Sequence, residues 1–112
     1  YRTTGQPVLI PGDMGRASYL LVGQGNRLTW CSACHGAGRK RSRIQSSKAW
    51  HGKDLIGHMA SQGVQVMACS TRTIAEEMPD AYKDVEDVVT AVQEAGLARM
   101  VARLKPHLVI KG

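Results

Sequence analysis

The stretch that decides the fold is Asp84-Val85-Glu86-Asp87-Val88-Val89-Thr90-Ala91-Val92-Gln93-Glu94-Ala95. Val85, Val88, Val89 and Val92 recur at i, i+3, i+4 and i+7, the spacing of a helix with one apolar face. Gly96 interrupts it, Leu97 to Leu104 reads as a turn or a strand, and Leu108 to Ile110 as a last short strand. Moving back along the chain, Val64 to Met67 reads as a buried strand. Asp54 to Gln62 is a short helix with Leu55, Ile56 and Met59 on one face and Gly63 as its stop. A further helix is expected from about Lys40 to Trp50. Val8 to Ile10, Ser18 to Val22 and Leu28 to Ser32 read as strands, the first closed by Pro11-Gly12 and the second by Gly23. Short strands and helices are mixed without a clean βαβ alternation, so the fold class is α+β. With no internal repeat, low-complexity tract or linker, residues 1–112 form one domain or one end of a larger one.

A chain of 112 residues is long enough for a core, and 43% hydrophobic content sets it apart from disordered sequences. There is no Phe, so that core rests on Val, Leu, Ile, Ala and Met. No run approaches the roughly 18 apolar residues that span a bilayer, and no signal-peptide pattern is visible. Cys31, Cys34 and Cys69 are an odd number, which favours reduced thiols in a cytoplasm over a disulfide framework. The net charge of +6 is unevenly placed. Met14 to Lys53 contains no Asp or Glu but holds Arg16, Arg27, Arg39, Lys40, Arg41, Arg43, Lys48 and Lys53. The acids gather between Glu76 and Glu94. Such asymmetry points to a phosphate-facing first half, or to a surface that is merely basic.

Chemistry concentrates in Cys31-Ser32-Ala33-Cys34-His35-Gly36-Ala37-Gly38-Arg39. Cys-x-x-Cys-His is the attachment pattern of a c-type haem, but attachment needs an export route, and Gly-Ala-Gly-Arg-Lys-Arg is a poor wall for an apolar macrocycle. The cysteine pair also suits zinc or dithiol chemistry, with Cys69, His51 and His58 as possible further ligands and no second paired motif to complete a site. The third reading is a phosphate site with a nucleophilic histidine. Gly36 and Gly38 allow close backbone approach, a helix opening after Gly38 would aim its N–H groups toward His35, and Arg39 binds phosphate bidentately. A neutral imidazole there attacks phosphorus and carries a phosphoramidate. The plainer alternative is a histidine capping a turn. A second glycine-bearing loop, Pro11-Gly12-Asp13-Met14-Gly15-Arg16-Ala17-Ser18, could form a backbone nest for an anion, or be only a turn between strands. It matches neither the Walker loop nor the dinucleotide fingerprint.

Taken together, these strings resemble the RtcB family of tRNA-splicing and RNA-repair ligases. The resemblance is carried by Gln6 to Gly15, by Cys34 to Arg39 with Ser42 and Arg43, and by Val109 to Gly112. Glu76-Glu77, Ala81 to Val85 and Val101 to Leu104 follow in the family's order. It covers essentially the whole chain and implies the C-terminal portion of a larger RtcB-like α/β fold. It further implies that His35 receives GMP from GTP and that Gly36, Ala37 and Gly38 line the phosphate or sugar. Pro11, Gly12, Asp13 and Met14 would form a loop against the nucleotide, with Ser18 near the base, Tyr82 packed on the guanine and Lys111 hydrogen-bonded to it. Arg39, Lys40, Arg41 and Arg43 would hold RNA or nucleotide phosphates.

The implied reaction joins an RNA 3′-phosphate or 2′,3′-cyclic phosphate to a 5′-hydroxyl, with GTP and manganese. The family's manganese ligands lie upstream of anything matched here, so this chain is expected to hold none and to need the upstream part, as one chain or as a partner. Position 13 is Asp where Ser is also familiar in the family. His51, His58 and His107 fall outside the matching motifs and read as surface or packing residues. A stand-alone RNA- or nucleotide-binding module remains the competing expectation.

Overall fold

The computed structural model describes residues 1–112. The chain is a mixed α+β structure, as the sequence leads one to expect. Its strands are β1 (Pro7–Pro11), β2 (Ser18–Gly23), β3 (Gln65–Ala68), β4 (Ala98–Leu104) and β5 (Leu108–Lys111). Its helices are α1 (Arg43–Ala49), α2 (Leu55–Ser61), α3 (Thr71–Glu76) and α4 (Val85–Glu94). The antiparallel sheet runs β1-β2-β4, and β3 pairs in parallel with β5.

Each sheet has its own core. In the first, alternation along the strands turns Ile10, Tyr19, Leu21 and Ala98 to one face, where Val85, Val89 and Val92 of α4 cover them. Full burial of such side chains stabilises by roughly 1.5–3 kcal/mol each, which explains why the valine stripe, rather than intrinsic propensity, fixes this helix. Asp84 caps it by accepting from the Glu86 amide. In the second core, Leu55 and Met59 of α2, Val64 and Val66, and Ile74, Ala75 and Met78 pack together. The segment joining β1 to β2 is the seam: Met14 enters the second core and Ala17 the first. Two cores side by side make the molecule elongated, 50 × 25 × 22 Å, with a radius of gyration of 15.8 Å. A compact chain of this length would have about 13 Å. No helix is long and apolar enough to cross a membrane.

The structure departs from the sequence reading in four places. The strand expected to be buried at Val64 to Met67 is half exposed, since along β3 only Val66 is buried and Met67 is 62% exposed. Leu28 to Ser32 is not a strand; Arg27–Thr29 is a 3-10 turn, opened by the Asn26 side chain accepting from the Leu28 amide and closed by Trp30 and Cys31 at positive φ. α1 begins at Arg43 rather than Lys40, because Ser42 and Gln45 form a reciprocal capping box there. Finally, α3 was not anticipated at all; Ser70 caps it through the Thr73 amide.

Candidate active site

His35 lies between the 3-10 turn and α1 with its side chain exposed. The loop is pinned at Ala37, whose methyl is buried in the first core and whose amide donates to the Pro11 carbonyl at 3.2 Å. Gly36 lies against the same proline, so that an added Cβ would come no nearer than 3.7 Å to it. Gly38 has φ +76°, a left-handed turn that favours glycine, and its carbonyl accepts from the Lys83 amide at 3.0 Å. Beyond the turn, Arg39 bridges to Tyr82 and the Lys40 amide donates to the Ala81 carbonyl at 2.9 Å. The histidine loop is thus laced to Pro11 on one side and to Ala81–Lys83 on the other.

Two expectations for this region need correction. Because residues 39–41 are engaged with Ala81 and Tyr82 and α1 starts only at Arg43, no helix N-terminus opens after Gly38 beside His35. The Pro11–Ser18 loop does form a nest of amides, but Asp13 fills it. Its Oδ1 accepts from the Gly15 and Arg16 amides, each at 2.9 Å, and the Arg16 guanidinium lies 3.5 Å from Oδ2. The Asp13 side chain is fully buried, so this loop is held by its own carboxylate and is no open anion cradle. Gly12 is fixed by close approach: a Cβ would lie 2.2 Å from the Ala17 carbonyl oxygen and 2.9 Å from a Val85 methyl. Met14 is buried, and Ser18 opens β2 between Pro11 and Leu104.

The four cations expected at phosphates differ in their engagement. The Arg39 guanidinium points inward, donating to Glu77, the Tyr82 hydroxyl, Ser46 and the Glu76 carbonyl, and stacking over the Tyr82 ring at 4.8 Å. Its role is to organise the neighbourhood, with no donor left conspicuously free for a phosphate. Arg41 pairs with Asp80, and Arg43 approaches Glu76 at 3.8 Å. Lys40 is exposed and forms none of the chain's ion pairs.

Glu77 is the hub that the sequence reading did not single out. It meets Arg39 at 3.2 Å and Lys111 at 3.6 Å, and it accepts from the Tyr82 hydroxyl. Burial works to raise the Glu77 carboxyl, but the Tyr82 hydrogen bond and the charges of Lys111, Arg39 and Arg43 outweigh it and hold it below its ordinary value. Burial, and then the hydrogen bond and charge of Glu77, push the Tyr82 phenol up. The only sequence signal was an acid pair, Glu76-Glu77, following a long basic stretch. Through this cluster the β5 terminus at Lys111 is tied to Tyr82 and Arg39, and through them to the loop of His35.

Cys31, Cys34 and Cys69 are free, and His51, His58 and His107 are exposed. No three His, Cys, Asp or Glu side chains come together in a way that could hold a metal ion. The donor set of this chain therefore fits neither the zinc reading nor a manganese site built from these residues alone.

The family model described as tRNA-splicing ligase RtcB matches residues 1–112. The chain is 51% identical over 114 aligned residues to the tRNA-splicing ligase RtcB of Thermococcus kodakarensis, covering 100% of this chain and 24% of that protein. It is 50% identical over 109 residues to the protein of the same name from Methanopyrus kandleri, covering 96% of this chain and 11% of the relative. It is 49% identical over 108 residues to the RNA-splicing ligase RtcB of Mycobacterium bovis, covering 96% and 25%. The chain spans about a quarter or less of the length of the curated relatives it matches. Matched from end to end by the family model, the chain belongs to the RtcB family of tRNA-splicing ligases.

Proposed function

We propose that this chain is the nucleotidyl-carrying portion of a GTP- and manganese-dependent RNA ligase, with His35 as the nucleophile. One observation carries the reading: an exposed histidine precedes Gly36 and Gly38 on a loop bonded to Pro11, bridged through Arg39 to Tyr82 and, through Glu77, tied to Lys111. These segments are far apart in sequence, and the fold brings them together.

In this reading a ring nitrogen of His35 attacks the α-phosphorus of GTP. The N–P bond forms as the bond to pyrophosphate breaks, and pyrophosphate leaves. An oxygen of the RNA 3′-phosphate then attacks the same phosphorus and releases the histidine. A 5′-hydroxyl finally attacks the activated 3′-phosphate and expels GMP. A 2′,3′-cyclic end is first hydrolysed to the 3′-phosphate. Gly36 and Gly38 let the backbone come close to the transferred phosphate, while Lys40 supplies positive charge. Tyr82 offers a ring to the guanine, and Lys111 offers a donor to its acceptors. Ser18 and the Pro11–Met14 loop would face the nucleotide in this reading.

Manganese would neutralise phosphate charge in such a reaction. The donor set here does not fit it, so its ligands would have to come from other parts of the whole protein. The outer sheet faces support such a neighbour: Leu9, Leu104, Met67, Leu108 and Ile110 are all exposed. Free thiols at all three cysteines accord with a cytoplasmic setting.

The test is ligation of two RNA strands, one ending in a 3′-phosphate and the other beginning with a 5′-hydroxyl, with GTP and manganese. The whole polypeptide carrying this region should join them, and the 112-residue chain alone should not. Binding of RNA without joining, in the whole polypeptide, would leave a non-catalytic binding module as the better reading.

A further inference from the structure

A second basic concavity lies away from the glycine loops, between the far end of α1, the turn that follows it, and the starts of α2 and α3. It encloses about 550 Å³, and its walls carry Trp50, Lys48, His51, Lys53, Arg72 and Ser47. We propose that this cleft holds a single strand of RNA, with one base stacked on Trp50 and phosphates on Lys48 and Lys53. The ligand class rests on the RNA-joining reading above; the cleft itself does not.

The aromatic platform is already oriented. The Trp50 indole donates to Asp80 at 2.9 Å, and its ring meets that of His58 with centroids 5.0 Å apart. The Lys53 ammonium lies over the ring, 4.8 Å from its centroid, on an exposed and flexible side chain. A base would take that place and leave the ammonium free to meet a neighbouring phosphate. Neither Lys48, His51 nor Lys53 forms an ion pair with any carboxylate, so their charge is not already spent. The nearby acid, Glu76, is instead taken by Arg72 at 2.9 Å and by Arg43 at 3.8 Å. Ser47 adds a buried hydroxyl with no hydrogen-bond partner, a donor suited to a phosphate or ribose oxygen.

The cleft also lies on a route. A shallower basic groove runs from Arg39 to Ile44, and Ile44 lines both concavities. A strand leaving the region of His35 along α1 would meet the unpaired Lys40 first and then Lys48 and Lys53 of the cleft. The combination of a fixed aromatic face with separated cations suits a single strand rather than a duplex, whose bases are not available for stacking.

The experiment uses the whole polypeptide carrying this region and a fluorescent ten-nucleotide oligouridine, followed by anisotropy across a salt series. Lys48→Ala/Lys53→Ala should weaken binding about tenfold at low salt and flatten the log K against log salt slope by about 1.4, from two lost phosphate contacts. Trp50→Phe should bind nearly as the wild type, whereas Trp50→Leu should lose on the order of tenfold by losing the stack. Labelling of His35 with radioactive GTP should be unchanged in the lysine variant. Wild-type affinity and slope in the lysine variant would overturn the proposal, as would an equal loss for a duplex or for heparin. If the wild type binds the strand in this way yet takes no guanylate, the ligase reading fails and the cleft stands.

Discussion

Gly36→Ala separates what this chain needs for folding from what a bound nucleotide would need. Gly36 does not occupy the left-handed region, and an added Cβ would meet only Pro11, at 3.7 Å, an ordinary van der Waals contact. Alanine at a compatible backbone position stabilises by about 0.4–1 kcal/mol, through the lost freedom of the unfolded chain. At no more than about 2 °C per kcal/mol in a polypeptide of several hundred residues, the melting temperature should stay level or rise by up to about 2 °C. Yet the methyl would occupy the surface next to His35 where, in the proposed reaction, a phosphate approaches. Displacing reacting groups by the order of 1 Å costs about 100-fold in rate, so guanylate transfer should slow by roughly 10- to 100-fold. Thermal unfolding and single-turnover labelling with radioactive GTP, both on the whole polypeptide carrying this region, measure the two effects. A melting temperature lowered by more than about 4 °C would show that Gly36 is needed for the fold. Labelling at the wild-type rate would show that nothing approaches the backbone there.

Gly12→Ala should behave in the opposite way: its Cβ would strike the Ala17 carbonyl at 2.2 Å, so a loss of about 1–3 kcal/mol is expected in denaturant unfolding, and an unchanged midpoint would contradict the close contact. Glu77→Gln removes the charge facing Arg39 and Lys111 and should cost about 1–3 kcal/mol, since all three side chains are less than a third exposed. The Glu77 carboxyl titrates lower in the folded state, so its contribution is present above the ordinary value near pH 4.3 and is lost as the pH falls below it; the acid limb of stability should be flatter in the Gln variant. Tyr82 titrates higher in the folded state, so its contribution holds below about pH 10 and is lost as the pH rises through the raised value. Tyr82→Phe should remove that alkaline limb, and a limb that persisted would assign it to another group.

What was legible in the sequence was the part fixed by local patterns. The valine stripe placed α4 at Asp84–Ala95, and the structure has Val85–Glu94. Short apolar runs closed by turn residues likewise place β1, β2 and β5 to within a residue or two. Leu28–Ser32 misled because Leu, Thr, Trp and Cys suit a strand, while the Asn26 side chain and two positive-φ residues redirect the backbone. α3 is too short for a periodic signal, and its apolar residues, Ile74 and Ala75, occupy a single turn. The pairing of β3 with β5, Val66 against Val109, is set by tertiary packing and leaves no local trace. The same holds for the candidate site. His35 and its glycines stood out from their neighbours in sequence, whereas Glu77 became visible only once Arg39, Tyr82 and Lys111 were brought around it. Asp13 carries the loop's shape in a carboxylate that the family resemblance alone sets beside a nucleotide.

The central claim is that His35 carries guanylate, and covalent labelling tests it most directly. The whole polypeptide carrying this region is incubated with GTP radiolabelled at the α-phosphate and with manganese, then run on a denaturing gel and probed for acid-labile, alkali-stable label. The account predicts label on the protein that disappears in His35→Ala, while that variant keeps its fold by circular dichroism. Label that persists in His35→Ala, or none in a folded wild type, would contradict it.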